Sequence, residues 1–301
     1  MERQKKAYMF ALMAMLCWST VATAFKISLR YMDYVNLLLY SSLISALVLL
    51  IIIYIQGRFR EIFLIPKKEL VYLALLGVLN PFLYYLVLFK AYSILKAQEA
   101  LTLNYTWAIM VVVLSFFILR QKIKFINILG IFLGFCGVFI IASKGKIYDM
   151  HFSDTLGVAL ALGSSLIWAF FWILNMKIKR DELIKLFINF TSGYIFTLLT
   201  AIILGDIKSL PSEGMLGVTY VGLFEMGITF IFWLMALKYS KTTAQVSSLI
   251  YLSPFLSLIF INIILGEKIL YSTFIGLSLI IIGIVIQSLN HGSKPLIENP
   301  K

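Results

Sequence analysis

Histidine and cysteine are almost missing from this chain, with two of each in 301 residues. His151 and His291 both lie outside the apolar runs, so no imidazole sits within them for metal ligation or acid–base work. Cys17 and Cys136 fall inside such runs, where reduced thiols are expected and no disulfide. Charged residues are scarce as well, 13% of the chain against roughly 25% in soluble domains. There is no Walker A sequence and no Gly-x-Ser-x-Gly. No nucleotide, metal or other cofactor is therefore implied. An intramembrane protease, which needs a Ser–His pair or His ligands, finds no support.

Apolar residues are abundant instead. They make up 61% of the chain, well above the ~45–50% of soluble domains, and they come in long runs. A helix rises ~1.5 Å per residue, so about 20 apolar residues cross the ~30 Å hydrocarbon layer. Ten stretches fit, roughly 7–29, 34–55, 70–90, 97–119, 123–142, 155–176, 186–204, 215–237, 243–265 and 269–289. The connections are too short for a folded soluble domain, so function must lie in the spans. Met1–Lys6 and the following run, with Ala22-Thr-Ala24, have the outline of a signal peptide. That apolar stretch is longer than a typical h-region, and an internal repeat needs it as a helix.

The net charge of +12 suggests nucleic acid, but the basic residues lie in short segments between apolar runs. With the N-terminus inside, 18 of the 26 Lys and Arg fall on the cytoplasmic side and six opposite, with Lys26 and Lys90 within snorkelling reach of the surface. The expectation is a multi-pass protein of the cell (plasma or inner) membrane with both termini cytoplasmic. Its partners are the lipid bilayer and a small-molecule substrate, with no nucleic acid, and it is a monomer or homodimer.

The chain repeats itself. A shift of 150 places Ala11, Leu12, Leu16, Trp18 and Arg30 on Ala161, Leu162, Leu166, Trp168 and Arg180. A shift of 145 carries Gly77 and Ala91 onto Gly222 and Ala236, and one of 146 carries Tyr105, Gly130 and Gly137 onto Tyr251, Gly276 and Gly283. Each half holds five spans, an odd number, so the halves enter the membrane in opposite directions. The expected organisation is a first repeat over 7–142, a linker over 143–154, a second repeat over 155–290 and a tail over 291–301. Inverted repeats of this kind are typical of secondary transporters, with the substrate site near the midplane.

Glu225 is the outlier within these spans. It lies about 11 residues into the 23-residue apolar run Met215–Leu237, near mid-depth. A charge there costs roughly 2.5–3.5 kcal/mol on insertion scales, which protonation, a polar partner, a water-filled cavity or a ligand must offset. A helix–helix hydrogen bond from a protonated side chain is the alternative. The 145 shift places Asn80 on Glu225, and Asn80 is also near mid-depth in its span. Asn80 also precedes Pro81 and could simply accommodate a kink there.

Three stretches carry a family likeness: Leu12-Met-Ala-Met-Leu-Cys-Trp18-Ser-Thr, Ala236-Leu-Lys-Tyr-Ser-Lys-Thr-Thr-Ala244, and Leu252-Ser-Pro254-Phe-Leu-Ser with Leu265-Gly-Glu-Lys268, Gly276 and Gly283. Together they resemble the drug/metabolite transporter superfamily, EamA type, over nearly the whole chain. The resemblance implies an all-α membrane fold of ten helices, two inverted five-helix repeats around a central cavity, alternating access, and export of amino acids or other small metabolites. Asn104-Tyr-Thr-Trp107 is similar to a motif in aromatic amino-acid exporters. The first half departs from the pattern, with Arg120-Gln-Lys122 where the second has Gly266-Glu-Lys268, and Ala108 opposite Pro254.

Further candidates divide between function and packing. Pro81 and Pro254 remove a backbone donor mid-helix, freeing a carbonyl for a ligand or merely kinking the helix. Trp18 and Trp168 lie deeper than interfacial aromatic belts and either line a cavity or pack the core. Tyr84, Tyr85, Tyr105, Trp107, Trp172, Trp233 and Tyr251 could form an aromatic wall that stacks on a ring or holds a cation. Asn104, Asn175, Asn189, Gln245 and Asn262 either line the path or bond between helices. Glu225 then binds a substrate ammonium or carries a coupling proton. A channel, which would more naturally carry rings of like charge, or a non-transporting scaffold is the competing reading.

Overall fold

The computed structural model describes residues 2–120, 125–146, 154–240 and 249–290. Gln245, both histidines, the C-terminal tail and most of the linker lie outside them. All regular structure among the described residues is helical, and eight helices are long and apolar enough to cross a membrane. Two shorter apolar helices, Ser253–Leu265 and Tyr271–Ile286, accompany them. Phe117, Phe125, Leu216 and Tyr271 stand 70–91% exposed. Such an apolar exterior suits lipid rather than water.

Six helices run unbroken: α1 (Glu2–Ser28), α2 (Tyr34–Ile55), α8 (Phe125–Ala142), α9 (Thr155–Asn175), α10 (Glu182–Leu204) and α14 (Tyr271–Asn290). Their ends follow local chemistry. Asp33 caps α2, Asp154 caps α9 and Asp181 caps α10, each accepting backbone N–H groups of the first turn. Gly205, at φ +63°, ends α10 in the left-handed conformation.

The other apolar stretches are not the continuous helices that hydropathy suggests. The third stretch divides into α4 (Lys67–Gly77), a π segment (Val78–Leu83) and α5 (Tyr84–Ile94). The fourth divides at Tyr105–Thr106 into α6 (Ala97–Asn104) and α7 (Trp107–Leu119). The eighth comprises α11 (Ser212–Tyr220), a π segment (Val221–Glu225) and α12 (Ile228–Tyr239). The ninth turns at Tyr251–Leu252 before α13 (Ser253–Leu265) begins. A four-residue helix, α3 (Arg60–Phe63), lies between α2 and α4.

Pro254 therefore does not kink a helix interior. It stands in the first turn of α13, where its missing N–H would have no intrahelical partner anyway. Pro81 does lie within a kink, beside Asn80, whose backbone is extended (φ −145°, ψ 118°).

Packing pairs distant parts of the chain. α1 packs on α12 and α13, while α9 packs on α5 and α7. α2 packs along α10, and α8 along α14. Close approach in the α8–α14 pair depends on bare backbone. A Cβ on Gly137 would meet the Gly276 carbonyl oxygen, and one on Gly276 would meet that of Gly137. Gly77 likewise lies against the Asn189 carbonyl on α10, and Gly222 against Ser41 and Ile44 on α2.

Polar contacts join loops that the charge pattern assigns to one face. On the side bearing the N-terminus, Arg180 forms a bidentate pair with Glu69, and Arg58 reaches Asp181 at 3.2 Å. On the other side, Lys208 Nζ lies 3.0 Å from Asp33 Oδ2, and Glu267 accepts the Ala97 N–H at 3.0 Å, capping α6. Glu99, near the start of the fourth stretch, is buried to 2% exposure with Lys144 Nζ 3.6 Å away.

Candidate functional site

Glu225 is the last residue of the second π segment, immediately before the break at Met226–Gly227. Interrupting a helix inside a membrane frees carbonyls that must find donors. Here Ser45 Oγ donates to the Met226 carbonyl at 2.7 Å and Thr229 Oγ1 donates to that of Phe224. Gly227 has no room for a side chain, since a Cβ would lie 2.9 Å from the Leu223 carbonyl oxygen. The half-buried Glu225 carboxyl accepts the Tyr85 hydroxyl at 2.8 Å.

Tyr85 is fully buried and stands on α5, just past the Pro81 kink. Its neighbour Tyr84 lies with its ring centroid 4.6 Å away and donates its hydroxyl to Asn104 Oδ1 at 3.2 Å. Asn104 ends α6 at the break, and its Nδ2 donates to Ser164 Oγ at 2.9 Å. One turn further along α9, Trp168 places its ring 4.5 Å from that of Tyr84. Residues from α12's flank, α5, α6 and α9 thus meet beside the helix breaks. Five of the expected residues, Glu225, Tyr84, Tyr85, Asn104 and Trp168, belong to this cluster.

The others lie around it or apart from it. Trp18, on α1, packs edge-on against Phe230 at 5.8 Å and lies 5.9 Å from Trp233. Tyr105 and Tyr251 occupy the paired breaks, and Tyr105 lies beside Ser253. Asn80 is fully buried, yet neither amide atom has a hydrogen-bond partner among the described residues. Its π segment packs on α10 and α9, with the Pro81 ring against Gly193, whereas the segment ending in Glu225 packs on α2 and α1. Asn80, which the 145 shift places on Glu225, makes no hydrogen bond to it, whereas Tyr85 does.

Sequence reasoning placed Tyr85 in an aromatic wall without seeing it as the acid's partner, and it missed Ser164. The usable signal was spacing: Ser164 and Trp168 are four apart on α9, hence on one face. Chemically, the cluster offers a carboxyl with acceptor sites beyond the one Tyr85 uses, and aromatic faces able to hold a cation or a ring. No group of His, Cys, Asp and Glu among the described residues could hold a metal.

The fold and this site define a multi-pass helical membrane protein with interrupted helices around a half-buried acid. The chain belongs to the EamA-like transporter family, which it matches over residues 5–143 and 155–289. It is a membrane transporter. It is similar to an "Uncharacterized transporter" of Clostridium kluyveri, 29% identical over 94% of this chain and 93% of that one. It is also similar to one of Archaeoglobus fulgidus, 25% identical over 93% and 96%, and to "Uncharacterized transporter YoaV" of Bacillus subtilis, 24% identical over 91% and 93%. A solved crystal structure shares the fold with a TM-score of 0.66 at 19% identity, covering 95% of this chain and 97% of that one.

Proposed function

We propose that the chain is a secondary transporter of ten membrane-spanning helices in two inverted repeats, 7–142 and 155–290. It exports a small organic metabolite, such as an amino acid, by alternating access, from a cell membrane in which both termini are cytoplasmic. Glu225 is the group that binds the substrate's ammonium or carries a coupling proton. The observation carrying this reading is the Tyr85–Glu225 hydrogen bond at a helix break, with Tyr84, Asn104 and Trp168 alongside.

The packing supports the symmetry. Counting apolar stretches in order, the first packs on the eighth and ninth, and the sixth packs on the third and fourth. The second pairs with the seventh and the fifth with the tenth, as exchange of two five-helix units requires. Breaks fall in the third and fourth stretches and again in the eighth and ninth. Interrupted helices at corresponding positions of two halves are where transporters bind substrate and ions.

Purified protein in proteoliposomes, with and without a pH gradient, provides the test. Glu225→Gln should abolish saturable counterflow if the carboxylate binds substrate. If it carries a proton, the variant should retain exchange and lose the pH dependence. Flux and a pH profile both identical to wild type would remove Glu225 from the mechanism.

A further inference from the structure

The corner between α5 and α6, at Leu95–Lys96, is gripped from two sides on the face opposite the N-terminus. Lys26, in the last turn of α1, donates its ammonium to the Tyr92 and Leu95 carbonyls at 2.5 Å each. Carbonyls at a helix C-terminus lack intrahelical donors and form the negative end of the helix dipole, so a cation is favoured there. Glu267 accepts the Ala97 N–H at 3.0 Å and the Gln98 N–H at 3.4 Å, at the N-terminus of α6, where an anion is favoured. The turn carrying Glu267 is itself fixed. Gly266, at φ +69°, ends α13, and Asn262 Nδ2 donates to the Glu267 carbonyl at 2.9 Å. The buried Gln98 adds two bonds to that connection, from its Nε2 to the Lys268 carbonyl and to its Oε1 from the Leu270 N–H, both at 3.0 Å.

These contacts cross between two groups of helices. α1 packs on α12 and α13, whereas α5, α6 and α7 pack on α9. Lys26 stands in the first group, Glu267 directly follows it, and the α5–α6 corner belongs to the second. On the face bearing the N-terminus, Arg180 pairs with Glu69, Arg58 with Asp181, and Arg3 donates to the Lys238 carbonyl at 3.0 Å. None of these three links the first group to the second. The internal repeat sharpens the asymmetry. The 150 shift places Lys26 on Met176, just past the end of α9, and the 146 shift places Gln121 on Glu267. Both counterparts are uncharged, and ionised groups hold helix ends more strongly than neutral ones.

We propose that Lys26 and Glu267 form the latch of a gate on the face opposite the N-terminus, and that their uncharged counterparts bias the resting protein towards the conformation closed on that face. The inference rests on the alternating-access reading above. Lys26 holds the end of α5 and Glu267 holds the start of α6, so the corner cannot leave the first group until both let go. Opening that face therefore exchanges these bonds for water, and nothing of equal charge is lost when the other face opens.

Spin-label distance measurements on the full chain in nanodiscs test the latch, with Cys17→Ser and Cys136→Ser as background. Labels at Tyr31→Cys and Ser93→Cys, both exposed on that face, report the separation of α1 from the α5–α6 corner. Labels at Ser93→Cys and the exposed Phe117→Cys report within the second group alone. Wild type should show one short distance at the first pair. Lys26→Met and Glu267→Gln should each raise the population of a longer distance about tenfold, as loss of one charge-assisted contact implies, and more when combined. The second pair should keep its wild-type distance throughout. An unaltered first pair in both variants overturns the latch, as does a wild type already mostly at the longer distance. A second pair that changes with the first also overturns it, because the variants then loosen the fold rather than open a gate. The readout needs no substrate. Opening by the latch variants combined with unaltered transport by Glu225→Gln would overturn the central assignment and leave the latch standing.

Discussion

The Tyr85 hydroxyl donates to Glu225 at 2.8 Å, joining two residues 140 positions apart at interruptions of two different spans. Neither helix would tolerate its polar group in lipid alone, and each offers the other what it lacks. Such a hydrogen bond is worth roughly 0.5–1.5 kcal/mol to a neutral carboxyl and about 1.5–3 kcal/mol to an ionised one. The pair links α5 to the second π segment.

Tyr85→Phe removes that donor while keeping the ring. Counterflow in proteoliposomes should fall about tenfold or more, in line with loss of one such bond. Tyr84→Phe, one step further from the acid, should have a smaller effect. A larger loss in Tyr84→Phe than in Tyr85→Phe would contradict the assigned order.

Glu267 stabilises the start of a helix 170 positions away in the sequence, accepting the Ala97 and Gln98 N–H groups at the start of α6. Glu267→Ala should lower stability by about 1 kcal/mol, the usual worth of an N-terminal cap, read as a drop in melting temperature in detergent. Glu267→Gln, which retains an acceptor oxygen, should lose less.

The α8–α14 contact leaves no space for side chains at Gly137 and Gly276. At Gly137 the nearest obstruction is the Gly276 backbone carbonyl, which cannot swing aside, and at Gly276 it is the Ile141 side chain together with the Gly137 carbonyl. Gly137→Ala should destabilise by about 1–3 kcal/mol through overpacking. Gly163→Ala, where nothing lies within 4 Å of the added Cβ, is the control and should melt at or above the wild-type temperature.

Asp33 gives a pH-dependent prediction outside the spans. Burial acts to raise its carboxyl pKa, but the backbone and side-chain N–H groups of Asn36, with Lys208, outweigh burial and hold it below the ordinary 3.8. A depressed folded-state pKa contributes stability that is present above the unfolded value and lost as pH falls through the folded one. Melting curves of wild type should therefore steepen in their pH dependence below about pH 4. Asp33→Asn keeps a capping oxygen and should show a shallower decline over that window.

Much of this organisation was legible from residues in order. Apolar length marks a span because hydrophobicity sums locally along a helix, and Pro81 marks a kink because proline removes a donor wherever it stands. The break at Tyr105–Thr106 carries no such mark, with neither Gly nor Pro at the turn. The matching break at Tyr251–Leu252 turns Pro254 into a first-turn residue. Hydropathy reads straight through both, since the residues on either side are equally apolar.

The sequence by itself determined which segments leave water, where the mid-depth acid lies among them, and that the two halves echo each other. Only the tertiary structure decided that Tyr85 rather than Asn80 meets the acid, and that the Asn80–Pro81 corner turns towards α10 instead. The reason is that lipid offers an isolated carboxyl no partner. Its donor must come from whichever helix packs against it, and packing is fixed by contacts between residues far apart in the chain.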